Sequence, residues 1–230
     1  MNPWPRRISL VAGMLLVIVL VVAAICSAAF DHALYHDVIV KHGIDAGLGM
    51  DIEDVDRVTQ VLIDYCRGVR DDLDVTVTVD GQQRQFFNDK EIMHMQDVQV
   101  LFRFAFWLLG LSLLGFVLLM LFAGTKSGWD MPMLLKQCAK GMGIVLGIIV
   151  AICVFAMLDF STFWTIFHYV FMWNELWLLN PATDLLIVLM PLNFFFDICL
   201  TIVVRFALML TICIVAGIAL NYIAKRRQVG

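Results

Sequence analysis

With 230 residues, 61% of them hydrophobic and only 16% charged, and a mean hydropathy of +0.87, the chain cannot be an ordinary soluble domain and reads as an integral membrane protein. Its net charge of −4 is small, and nothing in the chain is basic enough to suggest a nucleic-acid partner. The six cysteines include no CxxC pair, four of them lie in apolar runs and only Cys66 falls in the polar segment expected outside the membrane, so neither a disulfide framework nor a thiolate metal site is expected.

Arg6 and Arg7 precede an apolar run from Ile8 to Phe30, long enough at about 1.5 Å per residue to cross a hydrocarbon core. The run exceeds a signal-peptide core and is expected to be a retained first span. Residues 31–97 then form a polar insert with fifteen Asp or Glu against six Lys or Arg. Within it, Ile52, Val55, Val58, Val61, Leu62 and Tyr65 have the spacing of an amphipathic helix. The alternating stretch Asp71–Asp80, followed by Gly81, signals a β-hairpin. His32, His36 and His42 open the insert and read as solvated surface histidines.

A second span is expected over about Val100–Ala123, interrupted only by Arg103. A basic loop, Gly124–Lys140, carries Lys126, Lys136 and Lys140, and a third span runs over Gly141–Leu158. The Gly143-x-x-x-Gly147 spacing in this third span would admit a close helix neighbour. The stretch Ser161–Asp197 is nearly as apolar as a span, yet it holds three tryptophans, two prolines, Asn174, Glu175, Asn180 and Asp184. It is expected to lie in or dip into one leaflet as an aromatic belt. A fourth span covers Ile198–Ala224, followed by Lys225, Arg226 and Arg227.

The fold class predicted is thus all-α: four transmembrane helices, a small extracytoplasmic helix-plus-hairpin insert and an interfacial aromatic segment. The divisions are 1–30, 31–97, 98–158, 159–197 and 198–230. The basic flanks and the basic 124–140 loop place both termini in the cytoplasm and the insert and belt at the outer face.

Chemistry is expected where the polar residues of the outer face converge. His94 lies in Glu91-Ile92-Met93-His94-Met95-Gln96-Asp97, where Glu91 and Asp97 each stand one helical turn away and either can orient an imidazole. His168 sits among Trp164, Phe167 and Phe171, with Glu175 seven residues on along the same helical face. Two buried histidines with carboxylate orienters can form one site. Packing or capping histidines are the bland alternative, and a two-histidine-one-carboxylate metal site another. Arg103 and Arg205 are intramembrane charges whose expected partners are Asp159 and Asp197, or else a bound lipid carbonyl. No HExxH, GxSxG or phosphate loop occurs, and Ser161 is the one nucleophile candidate on the outer side.

The motif EIMHMQDV (Glu91–Val98), paired with FHYVFMWNELWLLNPATDLL and PLNFFF on this four-span frame, resembles the bacterial lipoprotein intramolecular transacylases. His94 and His168 fall on that family's two essential histidines. Trp177, Asp184, Pro191 and the phenylalanines of Phe194–Phe196 fit its pattern, and Met172 stands where an aromatic is expected. The resemblance implies that an acyl chain moves from the glyceryl group of a diacylglyceryl lipoprotein to the α-amino group of its N-terminal cysteine, in the outer leaflet of the bacterial cell membrane. Trp164, Phe167, Phe171, Trp173, Trp177, Phe194 and Phe195 are then the expected substrate contacts, with no cofactor and no obligate protein partner. The rival readings are a non-enzymatic membrane binding or scaffold module and a metal-dependent membrane hydrolase.

Overall fold

The computed structural model describes residues 3–229, with side chains through Arg226, so the Arg227 side chain lies outside the described residues. Four helices are long and apolar enough to cross a membrane: α1 (Trp4–Ala29), α5 (Asp89–Ser127), α6 (Met131–Leu158) and α9 (described to Val229 from Leu192). The four expected spans are all present, but three of these helices reach well beyond the apolar runs. α5 starts eleven residues before Val100 and carries the His94 motif in its first turns. α6 starts at Met131, because the expected basic loop contracts to a turn in which Gly128 and Trp129 take positive φ. The chain divides into two compact units.

The first unit comprises residues 1–25, 106–158 and 202–230. α1 is its centre: 39% of its apolar stretch is buried, against 6–11% in the other three long helices. Val17, Leu20 and Ala24 of α1 meet Phe206 of α9, packed round by Leu146, Ile149 and Met209. The small residues that let helices approach are not Gly143 and Gly147, where an added methyl would meet open space. They are Gly13, where a methyl would collide with the Cys138 carbonyl of α6, and Gly141, where it would collide with the Leu10 carbonyl of α1. Gly141→Val is therefore expected to destabilise the protein by about 1–3 kcal/mol, whereas Gly143→Ala is expected to be neutral or slightly stabilising. Thermal unfolding in detergent distinguishes them, and equal midpoints would refute the packing.

The second unit comprises residues 26–105 and 159–201. Its first part is more helical than the expected solvated segment. α2 (His32–His42) begins at Asp31, whose carboxylate accepts the Leu34 N–H, and ends at Gly43 in the left-handed conformation. A short α3 (Ile44–Leu48) follows, then α4 (Ile52–Arg67), the predicted amphipathic helix, which buries Val55, Val58 and Leu62. The hairpin forms as expected: β1 (Thr76–Val79) pairs antiparallel with β2 (Gln82–Gln85) through Asp80 and Gly81, both at positive φ, as a type I′ turn requires.

The three histidines of α2 are not simply solvated. His36 Nδ1 lies 2.9 Å from Asp56 of α4, which raises its pKa, and His32 Nε2 meets the Asp56 carbonyl at 3.0 Å. His42 Nε2 donates to Asp197 at 2.8 Å. All six cysteines are free thiols, and burial pushes that of Cys66 up to about 12, which leaves no thiolate there at neutral pH.

The belt resolves into α7 (Phe160–Phe171), an irregular stretch over 172–184, α8 (Leu185–Leu189) and the first turn of α9 after Pro191. Asp159 caps α7, accepting the Thr162 N–H at 3.0 Å and its hydroxyl at 2.6 Å. At twelve residues α7 is too short to cross a bilayer.

Candidate functional site

The start of α5 is fixed by a reciprocal capping box. The Asn88 side chain accepts the Glu91 N–H at 3.0 Å, and Glu91 Oε2 accepts the Asn88 N–H at 2.7 Å. The other Glu91 oxygen accepts the Leu186 N–H at 2.6 Å, so one fully buried carboxylate serves the first turns of both α5 and α8. Asn88 Nδ2 also donates to Asp184 at 2.9 Å, and Asp184 in turn accepts the Asn180 N–H at 2.7 Å. Lys90 Nζ donates to the Leu178 carbonyl at 2.6 Å. The helix bearing His94 is thus clamped to the irregular stretch that follows α7.

This clamp corrects the expected role of Glu91: it holds backbone and does not orient His94. Asp97 makes no hydrogen bond to His94, whose Nδ1 has no partner among the described residues; the Asp97 Oδ2 accepts the Asn174 side-chain amide at 2.8 Å. Glu175 is removed from His168 because α7 ends at Phe171, before the next helical turn could bring it round. The orienter of His168 is instead a main-chain group. His168 Nδ1 donates to the Trp164 carbonyl at 2.8 Å, one turn back on α7. A carbonyl only accepts, so Nδ1 carries the proton and the neutral ring keeps its lone pair on Nε2.

His94 and His168 come together, although α6 and most of α5 separate them in sequence. Their rings lie 6.2 Å apart between centroids with planes 28° from parallel, and they are 8% and 7% exposed. Trp177 stacks on His168 at 4.8 Å and 25°. Trp164 and Phe167 meet the same imidazole edge-on, at 5.0 and 5.5 Å. Trp164 further stacks on Phe195 at 4.2 Å and on Phe167 at 5.3 Å, Phe171 packs on Phe167, and Phe194 meets Phe195 at a right angle. Trp173 stands apart from this cluster at 94% exposure.

Two buried polar atoms in this stack, His94 Nδ1 and Trp177 Nε1, have no hydrogen-bond partner among the described residues. An unpaired buried polar atom is costly, so a polar group arriving there would be held strongly. Burial lowers the pKa of His168, only partly offset by its bond to the Trp164 carbonyl, so the ring is a neutral base at pH 7. Among the described residues no three His, Cys, Asp or Glu are grouped to hold a metal ion.

Arg103 does not pair with Asp159 or Asp197 as expected. Arg103 donates to Gln99 Oε1 at 2.6 Å, and Gln99 in turn donates to the Tyr65 carbonyl. Asp197 is occupied by Lys41 at 2.6 Å and His42 at 2.8 Å. Ser161 is exposed on α7. The sequence reading missed the Asn88-x-x-Glu91 cap and the α2 helix, although both carried signals: a capping-box spacing in the first, and Asp31 and Gly43 flanking Val38 and Ile39 in the second.

Fold and site together define a polytopic helical membrane protein with a buried two-imidazole centre walled by aromatic rings. Over residues 10–195 the chain matches the family model described as lipoprotein intramolecular transacylase Lit, and it belongs to that family. It is accordingly an enzyme, a lipoprotein intramolecular transacylase, as the sequence resemblance implied.

Among solved structures it is similar to the membrane-integral lipoprotein intramolecular transacylase Lit of Bacillus cereus, with a TM-score of 0.71 at 19% identity over 100% of this chain and 97% of that one. Arginine and alanine variants of a histidine in the same B. cereus protein align with TM-scores of 0.76 at 17% identity, over 98% of this chain and 95–96% of theirs. These likenesses show the fold. No curated protein matches the chain significantly.

Proposed function

We propose that His94 and His168 are the acid–base pair of the acyl transfer, acting in the outer leaflet on a diacylglyceryl lipoprotein. The observation that carries this reading is the stacked, buried pair itself, with the lone pair of His168 Nε2 uncommitted and His94 Nδ1 unpartnered. His168 Nε2 takes the proton of the substrate's α-amino group as the nitrogen attacks the glyceryl ester carbonyl. A C–N bond forms, the ester C–O bond breaks, and an imidazolium returns the proton to the glyceryl oxygen. The product is an N-acyl, S-monoacylglyceryl lipoprotein.

Amine and ester belong to one molecule, so holding them in one conformer supplies proximity without an enzyme nucleophile. Trp164, Phe167, Phe171 and Phe195 offer an apolar wall for the acyl chain. Trp177 Nε1–H is the donor for the carbonyl oxygen as it gains charge. Trp177→Phe is then expected to lower kcat about 10²–10³-fold with little change in KM; a KM effect alone would assign the ring to binding.

The topology proposed has the insert 31–97 and the aromatic segment 159–197 outside and both termini in the cytoplasm. It is supported by the charge distribution and by Arg6 of α1 and Lys136 and Lys140 of α6 lining one cavity, so the basic ends of these two helices coincide.

The substrate amine, with a reference pKa near 8, must be neutral to attack, so the rate is expected to fall about tenfold per unit below that value. The imidazole titrates below its ordinary 6.5, so a second tenfold per unit sets in only under about pH 6.5. A single break near pH 6.5 would contradict the assignment.

The function is tested by expressing the protein in a bacterium that makes diacylated lipoproteins and identifying lipopeptides by mass spectrometry. The lyso form is expected with the wild type, unaffected by chelators. Its absence, or loss on chelation, would overturn the reading.

A further inference from the structure

The N-terminal ends of α1 and α6 border an open cleft of about 470 Å³ that the acyl transfer does not use, lined by Arg6, Asp130, Met133, Lys136 and Lys140 among others. Three cations there face one acid, Asp130, whose Oδ1 accepts the Met133 N–H at 3.1 Å. None of the three cations forms an ion pair among the described residues. Lys136 and Lys140 stand one turn apart on α6, where like charges repel unless a counter-charge lies between them.

We propose that this cleft binds the phosphodiester headgroup of an anionic phospholipid. The guanidinium of Arg6 supplies a planar fork for phosphate oxygens, and the two ammonium groups supply point charges. Pro132 and Met133 form an apolar edge where the glycerol and the acyl roots would rest. Both helices that border the cleft are apolar enough to cross a membrane, and the cleft lies at their basic ends, next to the apolar runs that begin at Ile8 and Gly141, where lipid phosphates are expected. On the topology proposed above the leaflet is the cytoplasmic one, and basic pockets on that side attract anionic headgroups. The site depends on neither histidine and would survive the failure of the catalytic assignment.

The test uses the full-length protein in mixed micelles, with native mass spectrometry reading retention of dioleoylphosphatidylglycerol against dioleoylphosphatidylcholine. The anionic phosphatidylglycerol is expected to be held preferentially, and K136Q/K140Q to weaken its retention at least about tenfold. K225Q/R226Q, which removes the same charge elsewhere, is expected to leave it within about twofold. Equal losses in the two variants would overturn the site, leaving only bulk charge attraction.

Inorganic phosphate at millimolar concentration is expected not to displace the lipid. Displacement would overturn the lipid assignment in favour of a free-phosphate site. Should K136Q/K140Q lose its helical circular dichroism, the single variants K136Q and K140Q carry the test, each with an expected loss of about fivefold. No loss in either would overturn the proposal.

Discussion

Replacing His168 by asparagine is expected to slow formation of the lyso-lipoprotein about 10²–10⁴-fold, the range that a positioned general acid–base group contributes. Asparagine keeps a donor that can still reach the Trp164 carbonyl and fills much of the imidazole volume, so α7 keeps its geometry while the Nε2 lone pair is lost. His94→Asn is expected to have an effect of the same order. The double variant is expected to be scarcely slower than the worse single one, because residues that pass one proton between them lose their effect together. Liquid chromatography with mass spectrometry of a synthetic diacylated lipopeptide, incubated with each purified variant, measures this. A loss below tenfold in a variant with wild-type thermal stability would remove that histidine from proton transfer.

Glu91→Ala is expected to have the largest effect on stability. The Glu91 carboxylate is fully buried and accepts two main-chain N–H groups, those of Asn88 and Leu186. Truncation strands both donors at a cost of about 1–3 kcal/mol each. Their sum, about 2–6 kcal/mol, is a large share of the 5–15 kcal/mol that holds a typical fold. Glu91→Gln keeps the shape and one acceptor oxygen, turns an amide N–H toward the other donor, and is expected to fall between the two. Thermal unfolding in detergent gives the ranking of wild type, Gln and Ala. An alanine variant within about 2 °C of the wild type would show that the clamp contributes little. Glu91 acts on chemistry only by fixing the helix that carries His94, so at temperatures where the variant stays folded its pH profile should match the wild type's.

What could be read from the sequence follows the range of the interactions involved. The four apolar runs are local and unmistakable, and the amphipathic α4 and the Asp80-Gly81 turn write their own periodicity. The convergence of His94 and His168 was inferred because both fall on one face of the membrane by charge distribution and both match the family motif. The carboxylate partners were misplaced for a local reason. A spacing of three or seven residues implies a shared face only while the helix continues, and α7 stops at Phe171, four residues short of Glu175.

Glu91 does share a face with His94, but Leu186 and Asn88 claim both of its oxygens, and no spacing rule reveals a partner some ninety positions away. In the same way the Gly143–Gly147 spacing drew attention from Gly13 and Gly141, each of which faces a carbonyl of another helix. Contacts between distant segments decide which of several well-spaced residues is used.

On the function proposed, the acyl group passes directly from glyceryl oxygen to amine nitrogen while the two imidazoles only move protons. Intact-mass analysis of the enzyme, quenched at successive times through a single turnover, tests it most directly. The account predicts that lyso-lipoprotein accumulates while the enzyme mass stays unchanged at every time point. A transient increase by one acyl group, mapped to His94, His168 or Ser161, would contradict it.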